Sequence, residues 1–297
     1  MSHINPPELA IKNREQHLFT LIQINAVAEQ CLWLEKRLEL ITKNKSARDF
    51  FLAFSLSSST FNNSNEVIFP ELTEQNKIII QYLKEHKASL LEIVRLYILV
   101  KVLDSNAAFF TSKIIKLMET SDRTELATIL KFLILLPDPA AFKLNAVDNI
   151  RTNMTGVFDA IALNNPYSAM YFDTLQWNQM YLKAAFMERP LSRILYLEER
   201  ANPELTRMIN DYAQERWSAD REINPLFWRP TSYSMDTLAL KNIKRLLQSN
   251  DMQQQYAGAL CCLNSNNPEA ALLLAEFPSL KKTVASGEIS WKYFEKH

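Results

Sequence analysis

The chain has 297 residues, with 33 lysines and arginines against 33 aspartates and glutamates, and only three glycines. That length holds one large or two ordinary domains around a substantial core, and the balanced charge supplies no field to steer the chain toward nucleic acid or anionic lipid. Phosphate-cradling loops and dinucleotide fingerprints need glycine where a side chain would clash, so Gly156, Gly258 and Gly287 leave Rossmann and P-loop readings without material.

The opening MSHINPPELAIKNREQ is too polar for a secretory signal and too acidic for a transit peptide. Cys31, Cys261 and Cys262 offer no disulfide framework, because neighbours on one helix point about 100° apart. Both features favour a reduced, cytoplasmic setting. From residue 11 to about 42, Leu18, Leu21, Ile22, Val27, Cys31, Leu34 and Leu38 recur at three- and four-residue intervals, which predicts one long helix with a core stripe. Ser46 and Asp49 start a short second helix, RDFFLAFSL, and the Ser/Asn-rich stretch 57–70 reads as a mobile loop.

Short polar breaks and apolar helical segments then alternate. Thr73 opens NKIIIQYLKEH, Ser89 opens LLEIVRLYILVKVL, Ser105 opens AAFFTSKIIKLME, and Ser121 opens RTELATILKFLILL with Glu125 near the capping-box position. Glu92, Arg95, Lys101 and Lys131 break the apolar runs at 90–103 and 127–137. Neither run reaches the roughly 20 apolar residues of a bilayer span, so both read as buried helices and no transmembrane segment is expected. A helix over 144–163 stops at Asn165-Pro166, Asp173 and Gln176 cap a helix to about 188, and Pro190 sits in a first turn. Asn202-Pro203-Glu204 supplies an N-cap, a first-turn proline and an acidic first-turn residue for a helix from 203 to about 219. After the proline-rich connector INPLFWRPTSYS come helices near 235–248, 251–263, 268–276 and 279–286.

No run of β-branched alternation marks a strand. The fold class is all-α, an array of antiparallel helix pairs built either as a HEAT-like α-solenoid or as a compact multi-helix domain. The expected organisation is N-terminal helices over 1–56, a flexible loop over 57–72 and a helical array over 73–297, in one continuous unit.

Between 151 and 228 polar groups interrupt the apolar faces in a way that packing alone does not ask for. Arg151, Thr155 and Asp159 fall at i, i+4 and i+8 of the 144–163 helix, opposite Val147, Ile150, Met154, Val157 and Ile161, with Asn153 beside them. The stripe is either one wall of a pocket, with the Arg151 fork offered to a phosphate or carboxylate, or a helix-to-helix ion-pair network. Trp177, Asn178 and Lys183 follow on the next helix, Trp177 and Lys183 on different faces, and a lysine there usually lays its stem along the surface. Arg200, Asn202, Arg207, Asp211 and Arg216 read first as capping and i, i+4 chemistry, although Asp211 and Tyr212 could reach back to Arg151. His3, His17, His86 and His297 match no metal spacing, and neither a nucleophile elbow nor clustered aspartates occur. No catalytic residue, metal or cofactor is assigned.

The same stretch carries a resemblance. RTNMTGVFDAIALNNPY, WNQMYLKAAF, PLSRI, RANPELTRMINDYAQERW and NPLFW resemble the EboA family, proteins of a bacterial gene cluster tied to metabolite traffic, and a weaker likeness runs from Ala259 to Trp291. The EboA-like core is thereby placed at 145–291. The resemblance implies a cytoplasmic helical protein of secondary metabolism that accompanies enzymes making or moving a terpenoid-like or cyclitol-like metabolite. Metabolite or partner enzyme would then occupy a groove formed by residues 151–217, with Arg151, Asn153, Trp177, Asn178, Lys183, Arg200, Asp211 and Tyr212 as candidate ligand-binding residues. An alternative is an enzyme of the same pathway, with Arg151 as an anion clamp and Lys183, Asp211 and Tyr212 as proton-transfer groups. Nucleic-acid binding, which demands a basic stripe, ranks last.

Overall fold

The structure, a computed structural model, describes residues 13–61 and 65–295, and among these every regular element is helical. The protein is all-α. It divides into two compact units, with the boundary between Ile161 and Ala162.

The first unit holds α1 (Arg14–Asn25), α2 (Ala28–Asn44), α3 (Ala47–Thr60), α4 (Lys77–Glu85), α5 (Leu90–Thr120), α6 (Arg123–Phe132), α7 (Lys143–Asn149) and all but the last residue of α8 (Thr155–Ala162). The first half of α5 is its centre. α1, α2, α3 and α6 all pack on α5, and Ile93, Val94, Leu96, Ile98, Leu99, Val100 and Val102 are buried. That position explains a sequence run with no polar face, since a helix covered on every side is apolar all round.

Several helix ends differ from the sequence expectation for one recurring reason: a short polar side chain takes a backbone partner. The single helix expected over 11–42 is two, and residues 11 and 12 lie outside the described residues. Asn25 Nδ2 donates to the carbonyls of Leu21 and Ile68 at 2.8 Å each, while its Oδ1 accepts from the Ile68 N–H at 2.7 Å. An amide serving a distant backbone stops its own helix, and Gln30 Oε1 restarts it by accepting from Val27 N–H. The break expected at Ser105 falls at Asn106, whose backbone is extended (φ −163°, ψ 82°) and whose Oδ1 accepts from Phe109 N–H. Asp122 rather than Ser121 caps α6, its Oδ1 accepting from Thr124 and Glu125 N–H at 2.7 and 2.9 Å. Glu125, freed from any capping box, turns inward to Arg95.

The continuous helix expected over 144–163 is also broken. α7 ends at Asn149, and α8 begins at Thr155. Asn149 Nδ2 bonds back to the Asn145 carbonyl, and Thr152 Oγ1 accepts from Met154 N–H. These local bonds compete with the helical ladder across Asn149, Thr152 and Asn153. Arg151 and Asn153 therefore sit in a link, so the Arg151–Thr155–Asp159 stripe on one helix does not form. Val147, Ile150, Val157 and Ile161 are buried as expected, but Met154 is 46 % exposed.

The second unit holds α9 (Tyr167–Tyr171), α10 (Thr174–Phe186), α11 (Leu197–Arg200), α12 (Pro203–Ser218), α13 (Thr237–Leu247), α14 (Met252–Leu263), α15 (Pro268–Ala275) and α16 (Pro278–Ala285), with short 3-10 turns between them. Here the sequence signals hold well. Asp173 and Gln176 form the reciprocal capping box of α10, Asn202 caps α12 ahead of Pro203, and Asn267 caps α15 ahead of Pro268. The proline-rich connector is a 3-10 helix, Pro225–Tyr233, whose Leu226, Phe227 and Trp228 are buried.

α14 is the centre of this unit, packed by α13, α15, α16 and the Pro225–Tyr233 turn. Gly258 permits that approach: a Cβ there would lie 3.0 Å from Leu246 Cβ and 3.3 Å from the Leu247 backbone nitrogen. Gly156, in α8, has nothing within 4 Å of the same position. Gly258→Ala should therefore cost about 1–3 kcal/mol through overpacking. Gly156→Ala should stabilise by roughly 0.4–1 kcal/mol by restricting the unfolded chain. Urea midpoints moving in opposite directions are the expected result, and equal shifts would contradict the packing argument.

Candidate functional site

The polar residues singled out in the sequence go to several different environments. Arg151 is in the first unit, its side chain 75 % exposed, with Nη1 3.3 Å from Asp148 Oδ1. Asn153 is exposed beside it. The other six candidates belong to the second unit.

Trp177 and Asn178, on α10, are fully buried. The Asn178 and Asn202 amides pair reciprocally, each Nδ2 donating to the other's Oδ1 at 3.1 and 2.9 Å, while Asn202 Oδ1 also caps α12 by accepting from Leu205 N–H. Arg200 lies over the Trp177 ring at 5.1 Å. Its guanidinium donates to the carbonyls of Ala169, Phe172 and Asp173 at 2.8, 3.0 and 3.0 Å, spanning the end of α9 and the start of α10. Three candidates, Trp177, Asn178 and Arg200, together with the α12 cap Asn202, thus build one latch joining α9, α10 and α12. Desolvation lowers the Arg200 pKa without displacing its charge, which the three carbonyls accept.

Lys183 is half-buried on α10, and burial lowers its pKa. Asp211 lies on the exposed face of α12, where Arg207 spans Glu204 and Asp211 at 2.6 and 2.7 Å. Tyr212 is one residue further round that helix, so it faces inward. Its ring is 4.9 Å from that of Phe227.

Tyr212 lines a cavity. A hollow of about 370 Å³ lies within the second unit, between the end of α10, the face of α12, the link 222–225 and the start of α14. Tyr212 and Phe227 give it aromatic walls, and Arg189, Arg216, Glu222 and Gln254 give it charged and amide groups. The rim is rigid. Arg216 Nε and Nη2 both donate to the Glu222 carbonyl, at 3.0 and 2.6 Å, and Gln254 Nε2 donates to the Ile223 carbonyl at 2.6 Å. Glu188, at the end of α10, lines the cavity with a left-handed backbone (φ 55°), a conformation costly for a side chain other than glycine.

Arg189, Glu222, Phe227 and Gln254 were not singled out from the sequence. They come from separate elements and none breaks an apolar pattern. The available signal was the charged run Asp220-Arg221-Glu222 between a helix and a proline-rich connector, a place where turns carry function. Among the described residues no three His, Cys, Asp or Glu side chains gather as a metal cluster, and no helix is long and apolar enough to cross a membrane. His3 and His297 lie outside the described residues.

Searches of curated proteins and of solved structures give no match to this chain. A protein-family model described as metabolite traffic protein EboA matches residues 14–232. That span takes in the amino-terminal helices, which the motif reading left outside, together with the whole run from Arg151 to Trp228, and it covers well over half of the chain. The chain belongs to the EboA family.

Proposed function

We propose that this protein serves metabolite traffic by holding a small, polar, cyclitol-like molecule in the cavity bounded by Tyr212 and Phe227. The carrying observation is the mixed lining. A hollow of about 370 Å³ is of the size that small-molecule sites occupy. Arg189, Glu222 and Gln254 supply donors and acceptors in several directions, which a ring bearing hydroxyls would satisfy, while Tyr212 and Phe227 cover its apolar faces. A terpenoid-like hydrocarbon would strip water from the Glu222 carboxylate and the Gln254 amide oxygen and return no hydrogen bond, at about 1–3 kcal/mol for each group left unmet. The cavity therefore favours the cyclitol-like class over the terpenoid-like one.

The remaining groove candidates enter this reading in two ways. Trp177, Asn178 and Arg200 act by holding α10 and α12 in place, and Lys183, Asp211, Arg151 and Asn153 are surface or half-buried groups that a partner enzyme of the same gene cluster would meet. Three free thiols, Cys31, Cys261 and Cys262, support a cytoplasmic setting. The enzyme reading has less support, because of Arg151, Lys183, Asp211 and Tyr212 only Tyr212 lines the cavity.

Mass spectrometry of small molecules retained through gentle purification tests the proposal. A polyhydroxylated compound is expected with the parent protein, reduced at least tenfold in Tyr212→Leu, a variant that should stay folded while losing only the aromatic pairing with Phe227. Arg151→Ala should retain it fully. Retention of a prenyl-type hydrocarbon, or equal retention by Tyr212→Leu, would overturn the reading.

A further inference from the structure

A second cavity of about 480 Å³ shares Glu222, Ile223, Asp251 and Gln254 with the first, and is otherwise lined by the end of α12, the 220–221 bend and the α13–α14 turn. Trp217 and Arg245 form one side of it. The Arg245 guanidinium carbon lies 4.0 Å from the Trp217 ring centroid, closer than in any other arginine–aromatic contact of the described residues. Trp217 is in turn stacked on the buried Trp228, with centroids 5.5 Å apart and planes at 24°. Arg245 thus rests on a rigid two-ring platform. Arg221 stands in the same lining.

An arginine on a tryptophan is often surface decoration that adds little when exposed. Two observations argue for more. Arg200, Arg207, Arg216 and Arg229 all spend their guanidinium N–H groups on carboxylates or carbonyls, whereas neither Arg221 nor Arg245 has such an acceptor among the described residues. And the Arg245 head is already held 4.0 Å over the Trp217 ring, so less side-chain freedom remains to be lost when it takes up a ligand.

We infer that this second cavity is an oxyanion site, in which Arg245, with Arg221 beside it, receives a carboxylate or phosphate group. Asp220, Glu222 and Asp251 also stand in the lining, and Asp251 is occupied in capping α14 through the Gln253 N–H at 2.8 Å. These acids leave the cavity without net positive charge. Selection therefore rests on the directed fork of Arg245 and not on a long-range field, and bare anions bind only at high concentration. Because the two cavities share a wall, a ligand with a polar body at Tyr212 and an acidic substituent at Arg245 would occupy both; that joint occupancy rests on the proposal above, whereas the oxyanion site itself does not.

The test uses inorganic phosphate, acetate and neutral glucitol as separate probes, titrated into the full chain at constant ionic strength maintained with chloride. The readouts are the arginine Nε–H resonances and the Trp217 indole resonance, assigned with Arg245→Gln and Trp217→Phe. Saturable shifts with phosphate, acetate or both are expected, weakened about tenfold or more in Arg245→Gln, as loss of a charge-assisted two-point contact implies. Phosphate alone would assign a tetrahedral group and acetate alone a planar one. Arg245 is exposed, so this variant should fold, and an unchanged melting temperature checks it. Saturation by neither oxyanion, or equal affinity in Arg245→Gln, would overturn the inference. Tyr212→Leu should leave these titrations unchanged, so failure here is separable from failure at the first cavity.

Discussion

Replacing Arg95 by methionine is expected to destabilise the first unit by about 3–5 kcal/mol, and replacing Glu125 by leucine as well is expected to recover most of that loss. Arg95 and Glu125 are 4 % and 6 % exposed, with Arg95 Nη2 3.2 Å from Glu125 Oε1. Only this one hydrogen bond joins them, and Arg95 Nε is buried with no partner at all. The guanidinium also lies 5.2 Å from the Phe54 ring centroid, which returns part of the hydration it has lost. Removing Arg95 alone strands a carboxylate in the interior, which is the costly event. Removing both groups trades an incompletely satisfied pair for apolar packing, so the double variant should fall within about 1 kcal/mol of the parent or exceed it. A double-mutant cycle from urea unfolding, fitted with a separate transition for each unit, measures the coupling directly. A cost below about 1 kcal/mol for Arg95→Met would mean that water reaches the pair, and the burial argument would fail.

Glu125 also shows where sequence reading stops. At three residues past Asp122 it sits where a capping glutamate would, but the cap is supplied wholly by Asp122 Oδ1, and the fold uses Glu125 in the core. Signals confined to four consecutive residues were legible where a proline or a reciprocal pair marked them. Asn202-Pro203-Glu204, Asn267-Pro268-Glu269 and the Asp173–Gln176 box all open helices where expected, because each bond is made within one turn and owes nothing to distant packing. Helix interruptions were not legible where the deciding partner is remote. Asn25 ends α1 by bonding to Ile68, and nothing in the neighbourhood of Asn25 announces that partner. The link at 150–154 was hidden for the opposite reason, since its apolar residues keep helical spacing and only Asn149 and Thr152, by their backbone bonds, cut it.

The candidate site divides in the same way. Residues 151–217 did mark a polar concentration, but polarity within an apolar face has two origins that sequence does not separate. Asn178 and Asn202 are polar because each satisfies the other inside the protein, an arrangement that specifies helix packing. Tyr212 and Arg216 are polar at a cavity wall. Family membership was legible from motif order between Arg151 and Trp228, and the matched span 14–232 shows that the amino-terminal helices belong to the same family although they carry no motif visible by eye.

Phe227 joins stability to the proposed site, and its truncation should separate them. The ring is 1 % exposed and stacks on Tyr181 with centroids 5.8 Å apart and planes at 7°, while Tyr212 lies 4.9 Å away on its cavity side and Trp228 follows at 6.3 Å. Tyr181 in turn donates its hydroxyl to the Phe227 carbonyl at 3.1 Å, so ring and backbone are held by the same neighbour. Phe227→Ala should cost about 3–5 kcal/mol, the sum of lost burial and an unfilled hole in a cluster that cannot close around it. Phe227→Leu keeps most of the volume and should cost about 1–1.5 kcal/mol, much of it the aromatic pairing with Tyr181 and Tyr212. If the Tyr212–Phe227 wall receives a ring-bearing metabolite, Phe227→Leu should retain at least tenfold less of it while remaining folded, because the flat face is lost although the cavity persists. Full retention by Phe227→Leu alongside the expected loss of stability would make Phe227 a core residue only, and would move the ligand away from this cavity.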